Sequence, residues 1–183
     1  MKHQNILSTL NNSQNVNYCL YGNIDELQFE QYVSNSENDK IIIIYKINNT
    51  KKNALMLSGE TNTYFKYTNN NLVEINEEQF EEEIGDYAGI VTAPEMIKSI
   101  KEYVQKENDS LVVEETSDTS YQIKNDDQTM KLFTNPRNSM RALVIESSNE
   151  NCLLMFEELT DSEFEKSTQD FESYTNNNIS TVD

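Results

Sequence analysis

The stretch KIIIIYKI, residues 40–47, decides the fold class of this chain. Its β-branched side chains pack well on a pleated sheet, so the stretch predicts a β-strand. The clustering of apolar residues also predicts an ordered chain, because disordered chains lack such runs. Order is expected although only 36% of the 183 residues are hydrophobic, and the length is sufficient to bury a core.

Downstream of this strand the sequence predicts an antiparallel meander. A hairpin loop at 48–53 leads to strands over 54–58, 63–68 and 72–75. The chain has only four glycines and two prolines, so asparagine must supply many of the turns, since it tolerates left-handed backbone conformations. Runs of asparagine do occur between the predicted strands, at 48–49 and 69–71.

Helices are predicted where a capping-box pair, with Glu or Gln three positions after the cap, leads into helical spacing. The predicted helices are 24–34 (Asn23 with Glu26), 77–84 (Asn76 with Gln79), 93–106 (Thr92 with Glu95) and 161–174 (Thr160 with Glu163). A weak repeat accompanies three of them, since residues 24–30, 75–81 and 159–165 share a pattern that ends in Phe-Glu. The helix dipole explains such acidic first turns without any duplication, and duplication of a sheet-plus-helix unit is the alternative.

The second half of the chain repeats the order of strands followed by a helix. The remaining predicted strands are 15–21, 111–116, 121–124, 129–133, 142–146 and 152–156. A joint at 108–110 divides the chain into a unit of residues 1–108 and a unit of residues 109–183, of which 176–183 are expected to form a frayed tail. The sequence therefore predicts an α+β fold, with antiparallel sheets, helices packed on one face, and two similar sheet-plus-helix units.

Composition excludes several classes of enzyme. His3 is the only histidine, so nucleophile systems that need an imidazole and histidine-rich metal sites have no basis. Four glycines provide no phosphate-binding loop, and two cysteines provide neither a disulfide framework nor a four-cysteine zinc site. We expect no catalytic residues, no metal and no cofactor, and an enzyme that uses carboxylates with Mg²⁺ is the remaining catalytic alternative.

The sequence shows neither a secretory signal nor a membrane span. The N-terminal residues lead into no apolar run of the kind found in signal peptides. The longest apolar run is far too short to cross a bilayer. With Cys19 and Cys152 expected to be reduced, these features predict a cytoplasmic protein that does not bind membranes.

The charge of the chain is strongly negative. It has 32 Asp and Glu residues against 14 Lys and Arg residues, which gives a formal net charge of −18. Self-repulsion of this size destabilises a compact state. The excess either keeps the protein soluble or forms a surface that imitates a polyanion, and the sparse basic residues predict no direct binding to nucleic acid.

The acids are concentrated around the helix predicted at 77–84 and in the last quarter of the chain. Acids four positions apart on a helix, such as Glu78 and Glu82, have Cβ atoms roughly 5–6 Å apart and repel each other. Phosphates along a nucleic-acid strand have a similar spacing, so these acids could satisfy lysines and arginines meant for a phosphate backbone. The predicted partner-binding residues are Glu77, Glu78, Glu81, Glu82, Glu83, Asp86, Glu157, Glu158, Asp161, Glu165, Asp170 and Glu172.

In size, in acidic helices and in the lack of catalytic motifs, the chain resembles small acidic inhibitors from phages and mobile elements, including anti-CRISPR and other DNA-mimic proteins. These inhibitors share no common fold, so the resemblance carries no residue roles. It implies a non-enzymatic inhibitor that masks the nucleic-acid site of a basic protein such as a Cas9-type nuclease. The alternative is an acidic adaptor or immunity-type protein that binds one partner through apolar surface. The oligomeric state is left open.

Overall fold

A computed structural model gives the chain one antiparallel sheet with helices packed against it, and it describes residues 2–24, 26–35, 40–106, 112–117, 119–124, 128–148 and 151–175. The helices are α1 (Lys2–Gln14), α2 (Glu77–Ile84), α3 (Ala93–Gln105), α4 (Asp161–Thr168) and α5 (Glu172–Thr175), with 3₁₀ turns at Gly85–Gly89 and Gln169–Phe171. The strands are β1 (Asn17–Ile24), β2 (Leu27–Val33), β3 (Lys40–Ile47), β4 (Thr50–Ser58), β5 (Thr61–Thr68), β6 (Asn71–Ile75), β7 (Val112–Ser117), β8 (Ser120–Lys124), β9 (Gln128–Thr134), β10 (Met140–Ser147) and β11 (Asn151–Leu159).

The sheet consists of two meanders joined in the middle. Its 11 strands follow the order β6-β5-β4-β3-β2-β1-β11-β10-β9-β8-β7. Each strand pairs with its sequence neighbour within a meander, and β1 pairs with β11 where the two meanders meet. The predicted α+β class with antiparallel strands is confirmed, and β6 and β7 form the two edges of the sheet.

Asparagine supplies tight turns, as the sequence predicts. Asn48 and Asn49 between β3 and β4 have φ values of 51° and 61°, and Asn69 and Asn70 between β5 and β6 have values of 53° and 64°. Two consecutive residues with positive φ form the turn type whose twist matches antiparallel strands. Asparagine therefore does in these hairpins what glycine does in most others.

The two sides of the sheet are covered by different helices. On one side, which we call the core face, α1 and α3 pack over both meanders, and α2 packs on β3 and β4 through Ile43 and Tyr45. On the other side, Ile42 and Ile44 of β3 contact Phe171, which follows α4. The expectation that helices pack on one face is corrected, because the run of isoleucines gives β3 apolar side chains on both sides.

The C-terminal end of the described chain packs on the second side of the first meander. The ring of Phe171 lies 5.4 Å from the ring of Phe65, and the ring of Tyr174 lies 4.8 Å from it. The hydroxyl of Tyr174 donates a hydrogen bond of 3.2 Å to the carbonyl oxygen of Leu72 in β6. The helix predicted over 161–174 is therefore interrupted by a 3₁₀ turn at Gln169–Phe171, where Phe171 becomes fully buried.

The helix predicted over 24–34 is wrong, because this segment is strand β2. Its residues alternate between buried and partly exposed positions, with Leu27, Phe29 and Val33 on the core face. Asn23 and Glu26 have the spacing of a capping box, but Asn23 pairs with Gln28 in the β1–β2 ladder and Glu26 directly precedes β2. Pairing with β1 and β3 on both sides outweighs the local helix signal. The first copy of the weak repeat is therefore not a helix start.

Residues from both predicted units share one core. Leu10 of α1 and Leu20 of β1 are buried in the same cluster as Leu132 of β9 and Leu143 of β10. The N-terminal residues form α1, whose Ser13 accepts a hydrogen bond of 2.7 Å from the backbone N–H of Met140. The predicted joint at 108–110 and the tail at 176–183 lie outside the described residues, and the segments on either side of the joint contribute strands to the same sheet.

A buried glutamine fixes the start of α3 to the sheet. Gln31 of β2 is only 1% exposed. Its side-chain oxygen accepts a hydrogen bond of 2.8 Å from the backbone N–H of Ala93, and its side-chain nitrogen donates one of 3.1 Å to the carbonyl of Val91. Both ends of the amide are thus satisfied, and they position the segment that leads into α3.

We expect Gln31→Leu to lower the free energy of unfolding by about 1–3 kcal/mol, because it leaves the backbone groups of Ala93 and Val91 without their partners. Urea denaturation followed by circular dichroism measures the change. Gln105→Leu makes the same substitution at an exposed position of α3 and serves as control. Equal stability of the two variants would show that the hydrogen bonds of Gln31 contribute nothing to the free energy of unfolding.

Candidate functional site

Helix α2 carries the first predicted acidic cluster, and its orientation is set by two apolar residues. Phe80 and Ile84, four positions apart, are buried against the core face. The helix begins with a complete capping box at Asn76, as predicted. With Phe80 and Ile84 facing the sheet, helical spacing places Glu78 and Glu82 on the side of α2 that points away from it.

Two acids of this cluster bind residues of the sheet. Glu77 accepts a hydrogen bond of 2.5 Å from the hydroxyl of Tyr64. Glu83 forms an ion pair with Lys66 and accepts a hydrogen bond of 2.9 Å from the side chain of Asn53. The hydrogen bonds from Lys66 and Asn53 lower the pKa of Glu83. These two acids hold α2 on the sheet rather than facing a partner.

The other four acids form what we call the acidic ridge, which consists of Glu78, Glu81, Glu82 and Asp86. All four side chains are exposed. Among the described residues, none of the four side chains takes part in a hydrogen bond or an ion pair. Like charges four positions apart destabilise a helix by a few tenths of a kcal/mol. The ridge is thus a local concentration of charge that the fold itself does not use.

Glu157 and Glu158, which begin the second predicted cluster, point to opposite sides of β11. Glu157 accepts a hydrogen bond of 3.0 Å from the hydroxyl of Tyr21. Glu158 lies on the core face and accepts hydrogen bonds of 2.9 Å from Asn135 and 3.2 Å from Arg137. Burial alone would raise the pKa of Glu158, but these donors outweigh burial and lower it. The two glutamates therefore cannot bind one partner surface together.

The remaining acids of the second cluster lie on α4, α5 and the turn between them. Asp161 accepts a hydrogen bond of 2.7 Å from the side chain of Asn17, which attaches the start of α4 to β1. Glu165, Asp170 and Glu172 are exposed. Three of the six predicted acids after Leu154 thus have structural partners, and the other three are exposed on α4, α5 and the turn between them.

The two predicted clusters do not form one surface. Helix α2 packs on the core face, whereas the segment of α4 and α5 packs on the opposite side through Phe171. An eleven-stranded sheet separates them. The acidic ridge on α2 is therefore the compact part of the predicted site, and the C-terminal acids are a separate surface.

A surface that the sequence does not predict lies on the second meander. We call it the open face, meaning the side of β7–β11 opposite the core face, which the described helices leave uncovered except where α4 contacts the end of β11. Leu153 and Met155 of β11 point to this side and are 54% and 43% exposed. Met155 also lines a shallow groove of about 410 Å³ together with Tyr21 and Lys46. The only signal in the sequence is the unbroken apolar run at 152–156, which implies apolar side chains on both sides of β11.

In the ranges that the structure describes, no three His, Cys, Asp or Glu side chains cluster in a way that could hold a metal ion. Cys19 is buried on the side of the sheet opposite Cys152, and burial raises the pKa of its thiol to about 12. A thiol in this environment stays protonated and is a poor nucleophile.

None of the helices in the described ranges has the length and apolar character needed to cross a membrane. The sequence matches no model of a known protein family, and it matches no curated protein.

Proposed function

We propose that this protein is a non-enzymatic inhibitor that binds a basic nucleic-acid-binding protein and masks its nucleic-acid site. The observation that carries the proposal is the acidic ridge of Glu78, Glu81, Glu82 and Asp86, whose exposed side chains have no structural use among the described residues. A Cas9-type nuclease has the kind of positively charged channel that such a ridge would fit. We place this activity in the cytoplasm, where such nucleases work.

The proposed mechanism is electrostatic attraction followed by blocking of the site. A net charge of −18 accelerates the encounter with a basic groove, and charge steering of this kind is strongest at low salt. At the groove, the acids of one exposed helical face take the place of phosphates. Because the sheet holds α2 through Phe80, Ile84 and Glu83, the ridge is presented on a fixed support.

We expect Glu78→Lys combined with Glu82→Lys to abolish binding to the basic target, because both changes reverse charge at the centre of the ridge. The test first captures proteins from a bacterial lysate on this chain at low salt and elutes them by raising the salt concentration. A competition assay then measures whether this chain displaces DNA from the eluted protein. Glu60→Lys combined with Glu102→Lys changes net charge by the same amount at exposed positions outside the ridge, and it should retain binding.

The results separate the proposal from its rival. A captured protein that binds DNA, is displaced from it by this chain and loses affinity as salt rises supports the inhibitor. Affinity that stays flat from low to high salt, with the ridge variant as active as the control, contradicts it. The rival is the acidic adaptor or immunity-type protein, which Leu153 and Met155 on the open face favour because exposed apolar patches mark interaction surfaces.

A further inference from the structure

The open face carries an apolar surface that the described helices leave uncovered. Leu153 pairs in register with Val144, and Met155 pairs with Ala142, which in turn pairs with Phe133. These side chains therefore form one continuous patch across β11, β10 and β9. Single exposed apolar residues are ordinary on protein surfaces, but a contiguous patch marks an interaction site.

The charges on the open face differ from those on the rest of the molecule, because they neutralise each other. Nζ of Lys131 in β9 lies 2.8 Å from Oε1 of Glu146 in β10. Nζ of Lys124 in β8 lies 3.4 Å from Oε2 of Glu114 in β7. Of the described acids on this face, Glu114 and Glu146 are each paired with a lysine, and Glu157 at the end of β11 accepts a hydrogen bond from Tyr21. A basic partner would gain little electrostatic attraction on such a face.

We propose that the open face binds the open face of a second copy of this chain. Most homodimers have two-fold symmetry, so the same patch must complement itself. An apolar patch flanked by paired lysines and glutamates meets this condition, because apolar groups meet each other and lysines of one copy can approach glutamates of the other. Repulsion between two strongly negative chains is also weakest where the acids are already paired.

The size of the face predicts a weak dimer. Five strands about 4.8 Å apart, with an average length of about seven residues at about 3.4 Å per residue, give a projected area of roughly 570 Å² per copy. Burial of about 1,100 Å² in total lies at the lower end for specific complexes, so we expect a dissociation constant in the micromolar range. The two sheets would stack about 10 Å apart, as in a β-sandwich.

Such a dimer would leave both acidic ridges accessible. Each α2 packs on the core face, which is the side of the sheet away from the open face. The two ridges would therefore lie on the outer sides of the dimer, where they could bind two targets or two sites on one target. The dimer does not depend on the proposed inhibitor function, and either can fail without the other.

The test is sedimentation of the full chain over a concentration series from about 1 to about 100 μM, which spans the expected dissociation constant. The wild-type chain should change from monomer to dimer. Leu153→Lys combined with Met155→Lys should weaken dimerisation by about tenfold or more, because buried ammonium groups would face each other without partners. These changes reduce the net negative charge, so greater overall repulsion cannot explain the loss.

Two controls make the result specific. Val73→Lys combined with Val91→Lys makes the same apolar-to-lysine change at positions that are 45% and 59% exposed outside the open face, and it should dimerise like the wild type. Glu78→Lys combined with Glu82→Lys should also leave the dimer intact while it removes target binding. Circular dichroism establishes that each variant is folded.

Three outcomes would overturn the proposal. Unchanged dimerisation of the Leu153→Lys/Met155→Lys variant would show that the interface lies elsewhere on the molecule. A wild-type monomer at all concentrations, with the methyl groups of Leu153 and Met155 protected from a soluble paramagnetic probe, would assign the face to another segment of the same chain. A monomer with accessible methyl groups would leave the face to a different protein, as the adaptor hypothesis requires.

Discussion

We expect Phe171→Ala to lower the free energy of unfolding by about 3–5 kcal/mol, the usual cost of removing a fully buried aromatic side chain. Phe171 is 1% exposed and contacts Phe65 edge to face, between the last helices and strands β3–β5. Urea denaturation measures the loss.

Ser173→Ala is the matched control, since Ser173 is exposed two positions further along the same segment. It should change stability by less than about 0.5 kcal/mol, as most surface substitutions do. If Phe171→Ala were as stable as Ser173→Ala, the C-terminal segment would not be an integral part of the fold. Hydrogen exchange in β3 and β4 provides a second measurement, because these strands lose their cover on that side.

Gly22→Val should destabilise the protein by about 3 kcal/mol, at the upper end for an overpacked core. Gly22 lies at the centre of the sheet between Phe29 of β2 and Leu154 of β11. A Cβ at this position would lie 2.3 Å from Cζ of Phe29 and 2.8 Å from Cδ2 of Leu154. Since both side chains are buried on the core face, neither can move away without disturbing its neighbours.

Gly89→Val is the control for this substitution, because a Cβ at Gly89 would have no atom within 4 Å. Phe29→Leu removes the ring that blocks the site, so the double variant Gly22→Val/Phe29→Leu should be more stable than the two separate losses predict. Additive losses would show that the ring of Phe29 is not the obstacle.

Features of the fold that depend on neighbouring residues could be predicted from the sequence. The capping boxes at Asn76, Thr92 and Thr160 begin helices where their spacing indicates, because a cap satisfies backbone groups within one turn. The hairpin turns at Asn48 and Asn69 were predictable for the same reason, since positive φ is a local property. The strand over 40–47 needs only its own β-branched residues.

Features that depend on distant residues could not be predicted. Asn23 and Glu26 carry a helix signal, but β2 pairs with β3, whose apolar side chains lie many positions away in the sequence. The pairing of β1 with β11 joins the first and the last strand in sequence order, and no local pattern indicates it.

The same distinction between local and distant contacts applies to the candidate site. Exposure of Glu78 and Glu82 could be predicted from the helical spacing of Phe80 and Ile84. The use of Glu83 and Glu158 in internal contacts could not, because Lys66 and Arg137 come from other parts of the chain. The separation of the two acidic clusters by the sheet depends in turn on which side each helix covers, and the sequence of a helix does not contain that information.

The hydrogen bond from Tyr174 to Leu72 has a consequence for aggregation. The two-residue turn at Asn69 and Asn70 makes Thr68 and Asn71 a hydrogen-bonded pair, so the next residue, Leu72, directs its carbonyl away from β5. That carbonyl is one of the free acceptors with which an edge strand can recruit another chain into a growing intermolecular sheet. By occupying it, the hydroxyl of Tyr174 removes one acceptor that such growth would use, and loss of the C-terminal segment would expose this carbonyl together with the apolar side chains of β3.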